Sequence, residues 1–491
     1  MERGTERVAG GPRGIEERAV WTEPVMTAMI WDPQSWAERE FGDCDLGDRR
    51  RNKRMIKLAV QVAARPDGST PDQLETWADL KAAYRLFDTD DVSFQAIVAP
   101  HNRHTREDCR PGDVKLILND TTELDFTAHR GTRGLGPIGN GHGRGFFVHS
   151  GLMVDAATRR TDGMAGQEIF YRPPTGSKKG AKNSRRRDPN RESAVWGRLM
   201  DRIGAPPPDV TWLHVCDRGA DDYEVFQRAL SHRCGFVIRA AKLNRKVRTP
   251  DGREQMLAQF LDEWPSHGER DIAVKATPQQ PARTARVALR FGELLLPLPK
   301  VLTPWLRAHR PGAPLRLRVV ELREVAPPKG ATPIRWVLYT TEPADTIDAA
   351  DRVIGFYEQR PTIEDYHKCW KTGCHVEERQ YETAERLERV AGLLSVVAVR
   401  LLQLRTAARE TPDRPAEEVA PRAWIDMLRT VRKLPSTRPL TIRDFVRQLA
   451  GLGGHMLRKC DGEPGWITLW RGYEKLQLLL RGAQASKRKC G

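Results

Sequence analysis

Long hydrophobic runs are absent from this sequence. Its most apolar stretches, Leu393–Val399 and Leu478–Leu480, are far shorter than the roughly 18–20 residues that a membrane-spanning helix needs. The N-terminus also lacks the order of basic, apolar and small residues that marks a secretory signal peptide. We therefore expect a protein of the cell interior with no membrane partner.

Cysteines are few and poorly placed for a disulfide framework. The eight lie at positions 44, 109, 216, 234, 369, 374, 460 and 490, and no two have the Cys-x2-Cys spacing. His367, Cys369, Cys374 and His375 form a cluster that resembles half of a zinc site. A structural zinc site usually draws on two separated ligand pairs, and no second pair is near. We expect reduced thiols and no zinc.

Acidic residues are outnumbered by basic ones. The 491 residues include 81 Lys+Arg and 65 Asp+Glu, which leaves a formal charge of +16. Hydrophobic residues make up 39% of the chain, with 13 Trp among them, so it can bury a core and wholesale disorder is excluded. The basic excess indicates a polyanionic partner, most often nucleic acid. A basic enzyme without such a partner is the alternative.

The N-terminal region is predicted to be helical after a disordered start. Residues 1–28 are rich in Gly, Arg and Glu without periodicity, and they read either as an extension or as an over-long translation start. Residues 29–105 carry apolar residues at near-helical spacing, with Arg50, Arg51 and Arg54 among them. We expect a small, basic, all-helical domain there.

The middle of the chain alternates short apolar runs with a helical segment, which favours a mixed α/β core. The predicted strands are Val114–Asp120, Phe146–Asp155, Val210–Asp217 and Gly235–Arg239, followed by β-type segments at Ala285–Phe291, Leu315–Leu322 and Ile334–Thr341. The predicted division is an extension at 1–28, a helical domain at 29–105, core at 106–245, an inserted β subdomain at 246–333, core at 334–405, C-terminal helices at 406–485 and a disordered basic tail at 486–491.

One segment between the predicted strands is strongly cationic. Gly176–Arg187 holds six basic residues and no acid. Such a run cannot pack into a core, so we expect a mobile loop. The loop either contacts DNA or is a charged segment exposed to solvent, and the sequence is compatible with both interpretations.

Three carboxylates stand out by position. Asp120 and Asp217 each end a predicted strand, and Glu364 opens the segment Glu364–Lys371. At 100° per residue, Arg360, Lys368 and Lys371 fall on the same helical face as Glu364. The pattern is either salt-bridge decoration of a solvent face or a metal-binding carboxylate flanked by phosphate-binding cations. Two acids on adjacent strands and one on a helix can hold two divalent cations about 4 Å apart.

Pro361 limits this helical argument. Proline removes a hydrogen bond from a helix interior but suits the first helical turn. We therefore expect the helix that carries Glu364 and Lys371 to begin at Pro361, with Tyr357 and Arg360 reaching the site from the preceding turn. The helical angle then no longer applies to Arg360, but it still applies to Glu364 and Lys371.

The segment Tyr357–Lys371 fits the pattern Tyr-x2-Arg-x3-Glu-x6-Lys. This is the signature of the insertion-sequence-four family of DDE transposases, which the chain resembles over roughly residues 33–483. Further motifs that carry the resemblance include Trp36, Leu46–Arg51, Lys81–Phe87, Asn119–Thr122, Val215–Arg218, Pro327–Pro333, Arg386–Arg389, Ala398–Leu404 and Gly465–Trp470.

The resemblance implies a ribonuclease-H-like core that the β insertion interrupts. It implies that Asp120, Asp217 and Glu364 are the metal-binding catalytic triad, with two Mg²⁺ ions per site and Mn²⁺ as a substitute. The DNA contacts that it implies are Tyr357, Arg360 and Lys371 at phosphates with Lys368 near them, Arg239 as a further DNA-contacting arginine, Trp336 stacked on a flipped base, and Arg50, Arg51 and Arg54 at the end sequence. Trp336 could instead be a core aromatic of its strand, and the three arginines a basic surface helix.

The activity that the resemblance implies is cut-and-paste transposition in the bacterial cytoplasm, on the nucleoid when the protein is DNA-bound. The partners would be terminal inverted repeats, target DNA and a second copy of the chain, with a hairpin formed on the way and the C-terminal helices dimerising in the synaptic complex. Two rivals remain open: a structure-specific nuclease such as a junction resolvase, and a non-catalytic descendant that only binds ends.

Overall fold

The N-terminal region is helical, as expected. The computed structural model describes residues 33–172, 186–274, 281–310, 312, 314–435, 437–458 and 461–489, so the predicted extension at 1–28 lies outside it. Helices α2 to α5 each begin after a Ser, Thr or Asp whose side chain accepts a backbone N–H. The helices are α1 Pro33–Phe41, α2 Arg49–Ala64, α3 Thr70–Gln73, α4 Trp77–Phe87 and α5 Phe94–Glu107.

A single mixed sheet forms the centre of the protein. Its described strands are β1 Val114–Asp125, β2 Gly136–Ile138, β3 Gly143–Asp155, β4 Thr161–Phe170, β5 Thr211–Cys216, β6 Gly235–Arg239, β7 Lys246–Arg248, β8 Glu254–Met256, β9 Gly268–Val274, β10 Arg283–Leu296, β11 Leu315–Glu324 and β12 Arg335–Thr340. Their order is β2-β3-β1-β5-β6-β12-β11-β10-β7-β8, with β4 on β3 and β9 on β10. Strand β1 runs antiparallel to β3 and parallel to β5, which in turn runs parallel to β6.

The predicted end of the first strand was wrong. Strand β1 continues five residues beyond Asp120 because its pairing with β3 continues, up to Asp125 opposite Gly145. A Cβ at Gly145 would lie 1.9 Å from the carbonyl oxygen of Leu124, so this close pairing depends on glycine. Strand β4 was not predicted, since its stretch Thr161–Phe170 is rich in Gly and Ala and poor in β-branched residues.

The strands at 246–333 extend the same sheet. Strand β12 pairs with β6 on one side and with β11 on the other, so β7 to β11 continue the core sheet outward. The predicted segments Ala285–Phe291 and Leu315–Leu322 fall inside β10 and β11. The description of this region as an inserted subdomain stays a prediction.

Helices cover both faces of the sheet and make up the C-terminal region. They are α6 Val195–Ile203, α7 Tyr223–Ser231, α8 Leu257–Glu263, α9 Pro304–His309, α10 Ile347–Glu358, α11 Pro361–Lys368, α12 Ala384–Glu410, α13 Arg422–Arg432, α14 Ile442–Leu452 and α15 Trp466–Lys489. Helix α11 begins at Pro361, as predicted. Helix α15 runs to Lys489, so the predicted disordered tail at 486–491 was wrong over its first four residues, and the last two lie outside the described residues.

One described helical segment, Ala384–Ala408 in α12, is long and apolar enough by composition to cross a membrane, but 76% of its apolar window is buried inside the protein. Burial of this kind is expected of a core helix.

The two faces of the sheet pack against different helices. Side chains alternate along a strand, so Leu116 and Leu118 of β1 face one side and Ile117 the other. The side of Leu116 and Leu118 packs in the same core as α10, α11 and α12. The side of Ile117 packs with α6 and α7. A polar residue that continues the Leu116–Leu118 series will therefore face α11.

Candidate active site

Strand register brings the two aspartates together. Asn119 of β1 lies opposite Cys216 of β5 in a parallel pair, and the next residues are Asp120 and Asp217. Asp120 continues the series of Leu118, which faces α11. Strand β5 ends at Cys216, and the Oδ1 atom of Asp217 accepts the backbone N–H of Gly219 at 2.7 Å. Neighbouring strands thus hold both carboxylates side by side, Asp120 within β1 and Asp217 directly after the end of β5.

Arg360 joins these aspartates to Glu364. Its Nη2 atom lies 3.1 Å from Oδ1 of Asp120 and 3.6 Å from Oδ2 of Asp217, and its Nη1 atom lies 2.6 Å from Oε1 of Glu364. Helix α11 carries Glu364 in its first turn and packs on the face of β1 that presents Asp120. The three predicted acids therefore converge on a single guanidinium.

Burial differs among these four side chains. Asp120 is 17% exposed, Asp217 38%, Glu364 48% and Arg360 13%. Burial raises the pKa of Asp120 to about 6; the cation of Arg360 opposes that rise, and the charges of Asp217 and Glu364 add to it. Asp120 is thus a carboxylate whose ionised form depends on a nearby cation.

The donor set suits a hard divalent cation. Carboxylate oxygens are the ligands that Mg²⁺ and Mn²⁺ prefer, and all three acids already lie within contact distance of one positive group. Among the described residues, no three His, Cys, Asp or Glu side chains are arranged as they stand to hold a metal ion. At the three predicted acids, no such arrangement is present because the guanidinium of Arg360 lies between them. The three carboxylates suit a divalent ion, but in this structure they are positioned to bind Arg360.

Three further predicted residues form a cluster beside Arg360. Tyr357, in the last turn of α10, is buried, which raises the pKa of its hydroxyl, and the charge of the nearby Arg239 opposes that rise. The ring of Trp336 in β12 meets that of Tyr357 edge to face, with centroids 5.2 Å apart at 68°. Arg239 also donates to the carbonyl of Arg335 at 3.0 Å. Trp336 is partly buried and lines a cavity of about 530 Å³.

The two lysines lie apart from the acids. The Nζ atom of Lys371 lies 3.0 Å from Oε1 of Glu377, which also accepts the backbone N–H of Asp125 at 2.9 Å. Lys368 is exposed and forms no ion pair with any residue that the structure describes. The predicted helical angle of Lys371 was wrong, because α11 ends at Lys368 and a π-helical turn, Cys369–Gly373, follows.

His367 belongs to the site but was considered only as a zinc ligand. Its Nδ1 atom lies 3.9 Å from Oδ2 of Asp120, and burial lowers its pKa to about 3, which keeps the imidazole neutral. Its i+3 spacing from Glu364 on α11 was a signal that could have found it. Burial raises the pKa of the Cys374 thiol to about 12 and that of Cys369 well above its usual value.

The three N-terminal arginines differ in their surroundings. Arg51 pairs with Asp91 at 2.6 Å and donates to the carbonyl of Leu46 at 2.8 Å. Arg54 lies 3.4 Å from Asp79. Arg50 is exposed, and no described acid pairs with its side chain.

Most of the predicted basic loop Gly176–Arg187 lies outside the described residues. At its end, Arg186 donates to the carbonyl of Val301 at 2.9 Å and contacts Asp222 at 3.3 Å.

Two family models match the chain. Residues 33–92 match a model described as transposase DNA-binding, which covers α1 to α4 and the three arginines. Residues 191–400 match a model described as transposase DDE domain. The second match includes Asp217, Arg360 and Glu364, whereas Asp120 precedes it.

Proposed function

The chain carries a transposase DNA-binding domain and a transposase DDE domain, and from this premise we propose that it is a cut-and-paste transposase of the insertion-sequence-four family, related to the transposon-five transposase. A DDE domain implies a ribonuclease-H-like fold and dependence on a divalent metal. The observation that carries the proposal is the convergence of Asp120, Asp217 and Glu364, from β1, β5 and α11, on one cation.

The helical domain at 29–105 is proposed to bind the terminal inverted repeats of the element. Arg50 is the most available of its three candidate arginines, since it is exposed and no described acid neutralises it. Arg51 and Arg54 would have to give up Asp91 and Asp79 in order to contact DNA. Contacts to base edges carry sequence information, while contacts to phosphates position the protein.

The acids are proposed to hold two Mg²⁺ ions, for which Mn²⁺ can substitute. When bound, these ions supply positive charge at the attacking and leaving oxygens of an in-line displacement at phosphorus. Asp120 and Asp217 contribute rigid carboxylates, because one lies within β1 and the other caps the turn after β5. His367 stays neutral and adds no further negative charge beside Asp120.

The cluster beside the acids is proposed to hold the DNA strand. Arg239, Tyr357 and Arg360 lie near one another and carry hydrogen-bond donors, and arginine suits bidentate contact with phosphate oxygens. Trp336, whose ring packs on Tyr357, is proposed to stack on the base that is flipped out when the hairpin forms. Lys368 and Lys371 would then add charge along the same strand.

The remaining assignments follow the same proposal. The 3′-hydroxyl produced by the first cut attacks the opposite strand to form the hairpin, which is reopened before the element joins target DNA. The C-terminal helices at 406–485 would dimerise in the synaptic complex, with each subunit cutting the end that its partner binds. The protein would act in the bacterial cytoplasm, on the nucleoid when bound.

The test is cleavage of DNA that carries the sequences flanking the gene. The purified chain with Mg²⁺ should release a 3′-hydroxyl at matched inverted repeats and then a hairpin on the element end. Cleavage of four-way junctions without regard to the repeats would favour the resolvase-like rival. Specific binding without any Mg²⁺-dependent cut would favour the non-catalytic one.

A further inference from the structure

The three acids share one cation that the chain itself supplies. Arg360 contacts Asp120, Asp217 and Glu364 through its two terminal nitrogens, at 3.1, 3.6 and 2.6 Å. Its side chain is 13% exposed and therefore fills the space between the carboxylates. A divalent cation that binds the same oxygens needs the same space and the same charge complementarity. The guanidinium and the metal are thus alternative occupants of one site.

The contacts with the acids leave one hydrogen-bond donor of Arg360 unused. The Nε atom of Arg360 is buried and has no hydrogen-bond partner among the described residues. A buried donor without an acceptor is unfavourable, so the arginine-bound state leaves one hydrogen bond unmade. Glu364 is about half exposed, which lets the outer side of the guanidinium be reached from solvent.

Elsewhere in this protein, another cation lies among three carboxylates in a buried and permanent arrangement. The Nζ atom of Lys115, at the start of β1, lies 3.1 Å from Asp113, 2.9 Å from Asp155 and 3.0 Å from Asp162. That side chain is 4% exposed, and its three acids are 12–25% exposed. The acids around Arg360 are more exposed, at 17–48%. Lys115 is fixed, whereas Arg360 can be reached by a ligand.

A DNA phosphate offers Arg360 a better-matched partner on its other side. Tyr357, three residues earlier, is buried, and Arg239 lies close enough for its charge to act on the Tyr357 hydroxyl, so two further donors lie near Arg360 before DNA arrives. A phosphate oxygen pair can accept two parallel hydrogen bonds from one guanidinium edge, including the unpartnered Nε. Movement of the guanidinium toward that phosphate would leave the three carboxylates without this positive charge.

We propose that Arg360 keeps the metal site closed in the free protein and that a bound DNA phosphate draws it away, so that metal ions load after DNA. This inference rests on the proposed function, because it takes the three acids as the metal ligands. Its consequence is protection against stray hydrolysis: a free protein whose acids hold Arg360 carries little metal. Coupling of this kind is reciprocal, so the metal must raise DNA affinity by the factor by which DNA raises metal affinity.

The first test measures Mn²⁺ binding to the full-length chain without DNA, from the electron paramagnetic resonance signal of free Mn²⁺. Arg360→Gln should bind Mn²⁺ about tenfold more tightly than the unchanged protein, a difference of about 1.4 kcal/mol. The double variant Asp120→Asn, Arg360→Gln should lose that gain. Arg352→Gln is the matched control, because it removes one positive charge from an exposed position on α10 that makes no contact with the acids and is not among the proposed DNA contacts.

An equal gain in Arg352→Gln would mean that general electrostatics is responsible, and it would overturn the inference. The inference would also be overturned if the unchanged protein bound Mn²⁺ through Asp120 as tightly as Arg360→Gln does. This result would not contradict the proposed function. Arg360→Lys provides a second variant if Arg360→Gln fails to fold. Lysine keeps the positive charge but lacks the planar fork through which Arg360 contacts Glu364 with one nitrogen and the two aspartates with the other. The Mn²⁺ affinity of Arg360→Lys should therefore lie between those of the unchanged protein and Arg360→Gln.

The second test adds a saturating 40-base-pair duplex. The unchanged protein should then bind Mn²⁺ at least about fivefold more tightly, a gain of about 1 kcal/mol, with Asp120→Asn as the control for metal held by the DNA itself. Arg360→Gln should gain much less, since its site is already open. Absence of any gain in the unchanged protein would overturn the inference. If no form binds Mn²⁺ through Asp120 even with DNA, the proposed function fails as well.

Discussion

Arg360 pairs with Glu364 across one helical turn, at 2.6 Å, although Pro361 lies between them. The pairing is possible because Arg360 keeps helical backbone angles, φ −52° and ψ −39°, so the i,i+4 geometry continues through the proline. Glu364 is the most exposed of the three acids, and this contact holds it toward Asp120 and Asp217. Substitutions of these acids and of the residues around them should therefore have measurable effects.

Removal of any acid should abolish the chemistry and spare DNA binding. Asp120→Ala, Asp217→Ala and Glu364→Ala should each lower Mg²⁺-dependent cleavage by about 10³-fold or more, because each removes a proposed metal ligand. Band-shift assays should show end binding largely intact. Glu378→Gln, which changes an exposed acid outside the cluster, should cleave normally. Unchanged cleavage by any of the three alanine variants would defeat the two-metal proposal.

Gly219 should prove necessary for the position of Asp217. A Cβ at Gly219 would lie 2.8 Å from the Trp196 ring and 3.0 Å from Oδ1 of Asp217. Gly219→Ala should therefore displace Asp217 and lower the cleavage rate by about 10²-fold, the cost typical of a misplaced catalytic group. Gly355→Ala is the control, since nothing lies within 4 Å of its added Cβ. Similar rates for both variants would show that the contact does not position Asp217.

Trp336 should matter more for the hairpin than for the first cut. Trp336→Ala removes the ring proposed to stack on the flipped base, a contact worth about 1–3 kcal/mol, so hairpin formation should fall by roughly 10- to 100-fold. The first nick should change little. Single-turnover assays with intact and pre-nicked ends separate the two steps. Equal loss in both would mean that Trp336 supports the fold through Tyr357 instead.

The pKa of Asp120 predicts a pH-dependent free energy of unfolding. Because this pKa is raised to about 6 in the folded, metal-free protein, folding takes up a proton between about pH 4 and 6. The contribution of Asp120 to the free energy of unfolding should fall by about 3 kcal/mol as the pH rises through that window, and then stay level. Denaturant titrations in a chelating buffer should show this slope in the unchanged protein relative to Asp120→Asn. A flat difference from pH 4 to 8 would contradict the raised pKa.

Arg50 should contribute to end recognition without affecting the fold. Arg50→Ala should weaken binding to the cognate end by about 1–3 kcal/mol if Arg50 contacts a base edge, with no change in thermal stability. Arg51→Ala should also loosen the loop at Leu46, to whose carbonyl it donates. Arg443→Ala, at an exposed position on α14, is the control. An equal loss of affinity for random DNA would show that Arg50 binds phosphate and does not read sequence.

Several features of the site could be predicted from local pattern. The strand that precedes Asp217 and the helix start at Pro361 were correct to within about one residue, because strand propensity and proline geometry act over a few positions. Lys371 was misplaced because a π-helical turn shifts the helical phase, and no residue pattern in that segment had indicated it. The contact of His367 with Asp120 was missed although its spacing from Glu364 was available.

By itself, the sequence determined the residue types, their spacing along each segment and the alternation that directs Asp120 to the same side of β1 as Leu118. Tertiary structure alone decided that Asn119 lies opposite Cys216, that α11 packs on that face, and that Arg360 lies among the acids. The reason is physical: backbone propensity and alternation act over a few neighbouring residues. Pairing between segments hundreds of residues apart depends instead on the burial summed over the whole core.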